Sequence, residues 1–341
     1  MLNISLTGLM NNEGNDDQSQ EKNGGQSTST YIEYVFRYGG QVAALAVLLV
    51  TFSIMSPYFL SVNNFLNILL QSSVGLLLAI GQTFVILSAG IDLSNVAVLA
   101  LSATVSATLI TEMGVAPSLG IIVALVVGIM AGIVNGLVIT KGKIPDFIAT
   151  LGMMSLAQGL ALIVAGGLPI TGIPPVISYM GSGELGPVPV AVIISLSITI
   201  LAWFISRYTR IGRQIYAVGG NAEAARVSGI SPTKTKIAVY IFSGITAAVA
   251  GLVLTGRLNS ANGMMGAHWQ LTAIAAVIIG GTNLFGGEGS IGGTLVGMLI
   301  LGTLTNGLGL LAVSDFIQQV VRGSVIIVVV IYDQWRRRRA L

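Results

Sequence analysis

Long apolar runs separated by short polar gaps dominate the chain. Runs of near-membrane length are read at about 39–55, 65–87, 93–110, 119–140, 144–165, 188–206, 237–255, 271–284, 291–311 and 316–332. A helix needs about 20 apolar residues to cross the hydrocarbon layer, so this pattern predicts an all-α integral membrane protein of about ten transmembrane helices. Pro57 marks the end of the first run. Residues 1–30 are rich in Asn, Gln, Ser, Thr and Gly and are expected to form a disordered polar tail, with a short interfacial helix beginning within Glu33–Arg37. No basic stretch precedes a compact apolar core there, so a signal peptide is not expected. The division is then a 1–30 tail, a 31–335 transmembrane domain and a basic 336–341 tail.

The longest polar interruption runs from Ile205 to Tyr240, with a cytoplasmic loop expected at 207–236. It contains one short helix with both ends marked. Asn221 is a residue type that accepts first-turn amides, Glu223 suits the positive helix end, and Gly229 takes the left-handed turn that stops a helix. The two turns from Ala222 to Ser228 are too short to be stable alone in water, so a protein surface must hold them. Ala224 and Ala225 give this helix a small, smooth face, which points to docking of a cytosolic partner.

Composition narrows the class. The 341 residues are 53% hydrophobic and 9% charged, far below the charge content of soluble domains. Zero cysteines exclude disulfides and thiolate sites, and the single histidine, His268, excludes a multi-histidine metal centre. The net charge of +3 is no nucleic-acid signal, because the basic residues flank apolar runs. Arg37, Lys141, Lys143, Arg207, Arg210, Arg213, Arg226, Lys234, Lys236 and Arg336–Arg339 all fall on one side of a ten-span scheme, with Arg257 opposite. By the positive-inside rule that side is the cytoplasm, with both termini on it.

Charged groups at membrane depth are few. Asp92 is placed to cap the third helix, and Asp315 and Arg322, seven residues apart, suggest a structural pair. Neutral polar residues within spans are more numerous: Asn67, Gln71, Gln82, Asn135, Gln158 and Asn306 are the candidates for a path taken by an uncharged hydroxylated solute. Interhelical hydrogen bonding is the competing role for each. Gly128, Gly132 and Gly136, like Gly293 and Gly297, form small-residue faces suited to close packing within the bundle, or to dimerisation. Gly287–Gly292 matches a dinucleotide-binding glycine pattern, but it joins two apolar runs rather than a strand and a helix and reads as a tight turn. No P-loop motif occurs, so ATP-powered movement would need an ATPase on another polypeptide.

Several motifs occur in order between about Gly39 and Tyr332: Gly90-Ile-Asp-Leu-Ser94, Pro145 through Gly152, Gly212-Arg213 through Asn221, Ala224-Ala-Arg226, Ser228-Gly-Ile230, and Ala275 through Thr282 with Gly286-Gly287. Together they resemble the permease subunits of ribose-type sugar ABC importers. Asn95 departs from the family pattern, and the polar N-terminal tail is longer than is usual. The resemblance implies a type II-like ABC importer permease bundle in a bacterial inner membrane, moving a small sugar, ribose foremost. It implies ATPase-coupling roles for Asn221, Glu223, Ala224, Ala225, Arg226, Ser228 and Gly229. It further implies a second permease copy, a cytosolic ATP-binding subunit that uses ATP and Mg, and an extracytoplasmic sugar-binding protein. This chain itself would bind no cofactor and catalyse no reaction. Related permeases carry other simple sugars or a furanosyl signal such as autoinducer-2. An ion-coupled secondary transporter is the competing class, disfavoured by the scarcity of acidic residues in the spans; a membrane-embedded enzyme lacks a catalytic cluster.

Overall fold

The computed structural model describes residues 39–340, and for 326, 329–330 and 332–340 the backbone alone. The expectations for the 1–30 tail and for a helix beginning in Glu33–Arg37 lie outside the described residues, as do the side chains of the basic C-terminal tail.

Thirteen helices and one small hairpin make up the described chain. In order they are α1 (Gly39–Met55), α2 (Val62–Leu87), α3 (Asn95–Thr111), α4 (Pro117–Thr140), α5 (Asp146–Val164), α6 (Pro175–Ser182), the antiparallel pair β1 (Glu184–Leu185) and β2 (Val188–Pro189), α7 (Val190–Tyr208), α8 (Arg210–Gly220), α9 (Ala222–Val227), α10 (Pro232–Leu258), α11 (Trp269–Ile279), α12 (Ile291–Leu310) and α13 (Asp315–Ala340). Start signals account for several boundaries. Ser61, Ser231 and Ser290 each accept an amide from the first turn of α2, α10 and α12. Proline occupies the first turn of α4, α6 and α10, where its missing N–H is not needed. These signals start α2 and α10 three and five residues earlier than their apolar runs (62 against 65, 232 against 237).

Among the described residues, six helices are long and apolar enough to cross a membrane: α2, α4, α5, α7, α10 and α12. The apolar helices α1, α3 and α11 are shorter. With 11 residues, α11 rises only about 16 Å, roughly half the hydrocarbon thickness. The reading of about ten full-length spans is therefore met by length for six.

The core sits around α2 and α10. From Ser72 to Leu87 every residue of α2 is buried, and Tyr240, Ala247, Ala250 and Val253 of α10 are as enclosed. Bare backbone allows the tight crossings. A Cβ on Gly128 or Gly132 would meet the carbonyls of Gly244 or Tyr240, and one on Gly136 would stand 2.7 Å from Ile237 Cα, so the small-residue stripe of α4 lies on α10 of the same chain. The second stripe, Gly293 and Gly297, lies on Gly280 and Ala276 at the end of α11.

Two contacts show that several helix ends meet at one end of the bundle. Lys236 at the start of α10 reaches Asp146 at the start of α5, with Nζ 2.8 Å from Oδ2, and Gly287 N–H donates to the Leu87 carbonyl at the end of α2 at 3.0 Å. The α8–α9 segment lies at this same end. At the opposite end, the chain between α5 and α7 folds over the bundle through α6 and the β1–β2 hairpin, and Ile170 pairs with Ala261.

Candidate functional site

The polar 207–236 stretch is more ordered than a loop. Thr209 Oγ1 accepts the Gly212 amide and opens α8, an amphipathic helix that the sequence reading did not separate from the surrounding polar residues. Ile215, Val218 and Gly219 face inward. Asn221 then serves both helices: its N–H closes α8 on the Ala217 carbonyl, and its Oδ1 accepts the amides of Glu223 (3.0 Å) and Ala224 (2.9 Å) to open α9. At the far end Gly229 has φ 81°, and the Gly229 and Ile230 amides close on the carbonyls of Arg226 and Ala225. The anticipated helix is thus present with both of its end signals in use.

The exposure of α9 has one clear feature. Ala225 is buried against the bundle, while Glu223, Ala224, Arg226, Val227, Ser228 and Gly229 are exposed. Val227, at 77% exposure, is an apolar side chain facing outward beside two charges. Glu223 and Arg226 form a paired fork, with Arg226 Nε 3.0 Å from Glu223 Oε2. Hydrogen bonding by Arg226, and then its charge, lowers the Glu223 carboxyl below its ordinary range and raises the guanidinium. Both stay charged and paired at neutral pH.

Beneath α9, α8 is seated on the bundle through contacts that admit no side chain. A Cβ on Gly219 would overlap the Leu87 carbonyl and lie 2.7 Å from the Gly287 amide, the two groups that hydrogen-bond to each other. Gly286 and Gly287, both at positive φ, pass close to Ala89, Gly219 and Gly220. Tyr216 donates to the Gly289 carbonyl at 3.0 Å. The glycine motif between α11 and α12 is therefore the tight turn that the sequence indicated, and it receives α8.

Next to this joint, the 88–94 connection between α2 and α3 is held by two sets of polar side chains. Asp146 Oδ2 accepts from Lys236 Nζ at 2.8 Å and Tyr240 Oη at 2.9 Å, and Lys236 also reaches the Ala89 carbonyl at 3.4 Å. Deeper in, Asp92 Oδ1 accepts the Ser94 amide and hydroxyl at 2.8 and 2.6 Å, and Oδ2 accepts the Ser243 hydroxyl at 2.8 Å. Asp92 is therefore not the cap that the sequence suggested: Ser94 holds the N-cap position of α3 without a side-chain cap bond, and Asp92 fixes the Ser94 backbone and hydroxyl from two residues earlier. Gln82 donates to the Asp92 carbonyl and accepts its amide, and Asn135 donates to Ser94 Oγ at 2.9 Å. Asn95 is buried 3.5 Å from the Gln82 amide.

The remaining path candidates are dispersed. Asn67 is exposed on α2 and Asn306 is buried in α12. Gln158 lines a cavity of about 210 Å³ with Met154, Met264 and Met265. Gln71 lines another of about 300 Å³ that also takes in Arg322. Asp315 and Arg322 form no ion pair among the described residues; seven positions apart on α13, their Cα atoms are separated by about 10 Å of helix rise.

The described residues thus form an apolar multi-helix bundle, six of its helices long enough to cross a membrane, that presents a capped, exposed helix on a seat of close-packed glycines. The chain belongs to the family described as Branched-chain amino acid transport system / permease component, whose model matches residues 64–330. Its curated relatives include the Ribose import permease protein RbsC of Bacillus subtilis, 47% identical over 86% of this chain and 92% of the relative. The protein of the same name from Escherichia coli K12 is 43% identical over 85% and 91%. The D-allose transport system permease protein AlsC of E. coli is 40% identical over 86% and 91%. No solved structure matches the chain.

Proposed function

We propose that the chain is the membrane subunit of an ATP-binding-cassette importer for a small neutral sugar, ribose foremost, and that a separate cytosolic ATPase drives it through α9. The observation that carries the reading is α9 itself: two turns with both ends capped, anchored by Ala225 and otherwise exposed, on a seat joined to α2 and α12. Identity of 47% and 43% to ribose import permeases over most of both chains supports the solute class. ATP and Mg belong to the partner.

In this reading α1, α3, α11 and α13 complete ten passes. Both termini and α9 then lie in the cytoplasm of a bacterium, and the membrane is the inner one. Lys141, Lys143, Arg207, Arg210, Arg213 and Lys234, all near the α9 end of the bundle, are the basic residues that this orientation requires. An extracytoplasmic binding protein delivers the sugar to the opposite end, and two copies of the chain form the pathway. When the ATPases close on ATP, Glu223, Ala224, Arg226, Ser228 and Gly229 take the load. Asn221 and Ala225 hold the helix to α8, and α8 moves the ends of α2 and α12.

The test is uptake of labelled ribose into vesicles containing the purified permease and ATPase, with ATP inside a right-side-out preparation and binding protein outside. Uptake is expected to require ATP and to fall, together with binding-protein-stimulated hydrolysis, when Glu223 and Arg226 are both replaced by Ala. Uptake that persists without the ATPase and follows a proton or sodium gradient overturns the proposal in favour of an ion-coupled carrier.

A further inference from the structure

At the end of the bundle away from α9, a cavity of about 300 Å³ opens between α2, α10, α11, α12 and α13. Arg257, which lines it, lies 25 residues along α10 from Pro232, a rise of about 38 Å. A solute arriving from the far side therefore meets this cavity well ahead of α8 and α9.

The lining is chemically mixed. Arg257 and Arg322 supply N–H donors, Gln71 supplies an amide with a donor and an acceptor, and Trp269 supplies an aromatic ring. Thr272 and Thr305 also line it, and each donates its hydroxyl proton to a carbonyl of the preceding turn, at 3.0 and 2.9 Å. Their oxygen lone pairs are what remain to meet a ligand, so both are acceptors. The Trp269 ring lies on the bare backbone of Gly75, where a Cβ would strike its six-membered edge, and this fixes the ring. None of the lining residues is acidic.

We propose that this cavity is a monosaccharide subsite within the single permease chain, in which Trp269 backs one face of an aldose ring and Gln71, Thr272, Thr305, Arg257 and Arg322 meet its hydroxyls. The proposal rests on the sugar-importer reading above and names where the solute is held. Donors alone would suit an anion. Acceptors interleaved with donors beside an aromatic face suit a neutral polyol, each of whose hydroxyls both gives and takes a hydrogen bond. The volume lies at the small end for small-molecule sites and fits one sugar ring rather than a disaccharide.

The experiment isolates Trp269 fluorescence by Trp203→Phe and Trp335→Phe, the chain having three tryptophans. The detergent-purified permease is titrated with ribose, D-allose, L-arabinose and inorganic phosphate. A saturable change with at least one aldose and none with phosphate is expected. Gln71→Leu and the near-isosteric Thr305→Val should each weaken it about tenfold, the size of one well-made hydrogen bond. In the vesicle assay the same two variants should raise the half-saturating sugar concentration and alter the preference among the three sugars. No saturable change with any aldose, a response to phosphate alone, or a response indifferent to both variants overturns the subsite. Failure of the unaltered complex to import any aldose removes the importer reading and the subsite with it. Import with cavity variants indistinguishable from the unaltered chain removes the subsite alone.

Discussion

Gly219 and Gly220 are neighbours at the end of α8, and their replacement by alanine should have opposite effects. A Cβ at 219 overlaps the Leu87 carbonyl and crowds the Gly287 amide, both backbone atoms that no side-chain rotation can clear. A Cβ at 220 meets nothing within 4 Å. Overpacking of this kind costs about 1–3 kcal/mol. If the 3.0 Å Gly287 to Leu87 hydrogen bond is also parted, leaving buried backbone unpaired adds roughly 1–3 kcal/mol. Alanine's better helix propensity offsets at most about 1 kcal/mol. With both terms in force Gly219→Ala should therefore lose on the order of 1–5 kcal/mol, whereas Gly220→Ala should be neutral or slightly stabilising. Thermal unfolding of the detergent-purified variants reads the difference, and uptake with stimulated ATP hydrolysis reads its consequence for drive. If Gly219→Ala melts at or above Gly220→Ala, the seat of α8 on α2 is wrong, and with it the route by which α9 would act.

Asn221→Ala removes the acceptor for two first-turn amides, so it should destabilise α9 by about 1 kcal/mol and lower ATPase-coupled uptake with little change in global melting. The depressed Glu223 carboxyl makes its ion pair present at neutral pH and lost only as the pH falls below the usual carboxylate range. Stimulated hydrolysis should thus show no Glu223-dependent step near neutrality, which comparison of the wild-type and Glu223→Gln pH profiles checks. Lys236→Met leaves Asp146 its Tyr240 hydroxyl but no countercharge and should cost about 1–3 kcal/mol in melting experiments, with partial recovery in the Lys236→Met/Asp146→Asn double variant. Asp92→Ala leaves the Ser94 amide and the Ser243 hydroxyl without their acceptor inside the bundle. It should destabilise by a similar 1–3 kcal/mol or so, and more than the near-isosteric Asp92→Asn.

What the sequence disclosed depended on whether the signal was local. The α9 boundaries followed from Asn221 and Gly229, because a cap and a left-handed stop act within one helical turn. The early start of α10 was equally available in Ser231-Pro232, but an apolar criterion passes over a polar first turn. Helix α8 was missed since arginines and glycines mask an inward face whose buried residues are Gly212, Ile215, Val218 and Gly219. The placement of Gln82 and Asn135 was beyond reach for another reason. Helices apolar on every side carry no amphipathic stripe to show which polar residue faces a neighbour and which faces a passage. Both amides turn to the 88–94 connection, Gln82 to the Asp92 backbone and Asn135 to Ser94. The glycine stripes were legible as packing faces, whereas their partners in the same chain became visible only in three dimensions.

In the proposed mechanism α2 would serve both the drive and the cargo. Its last carbonyl bears the weight of α8, and Gln71, sixteen residues back and about 24 Å away along the axis, borders the far cavity. Enclosed on all sides from Ser72 onward, this rod has little freedom to bend between those points. A displacement applied at Leu87 would arrive at Gln71 as a tilt or slide of nearly the same size, so the force and the cargo need no longer relay than one beam.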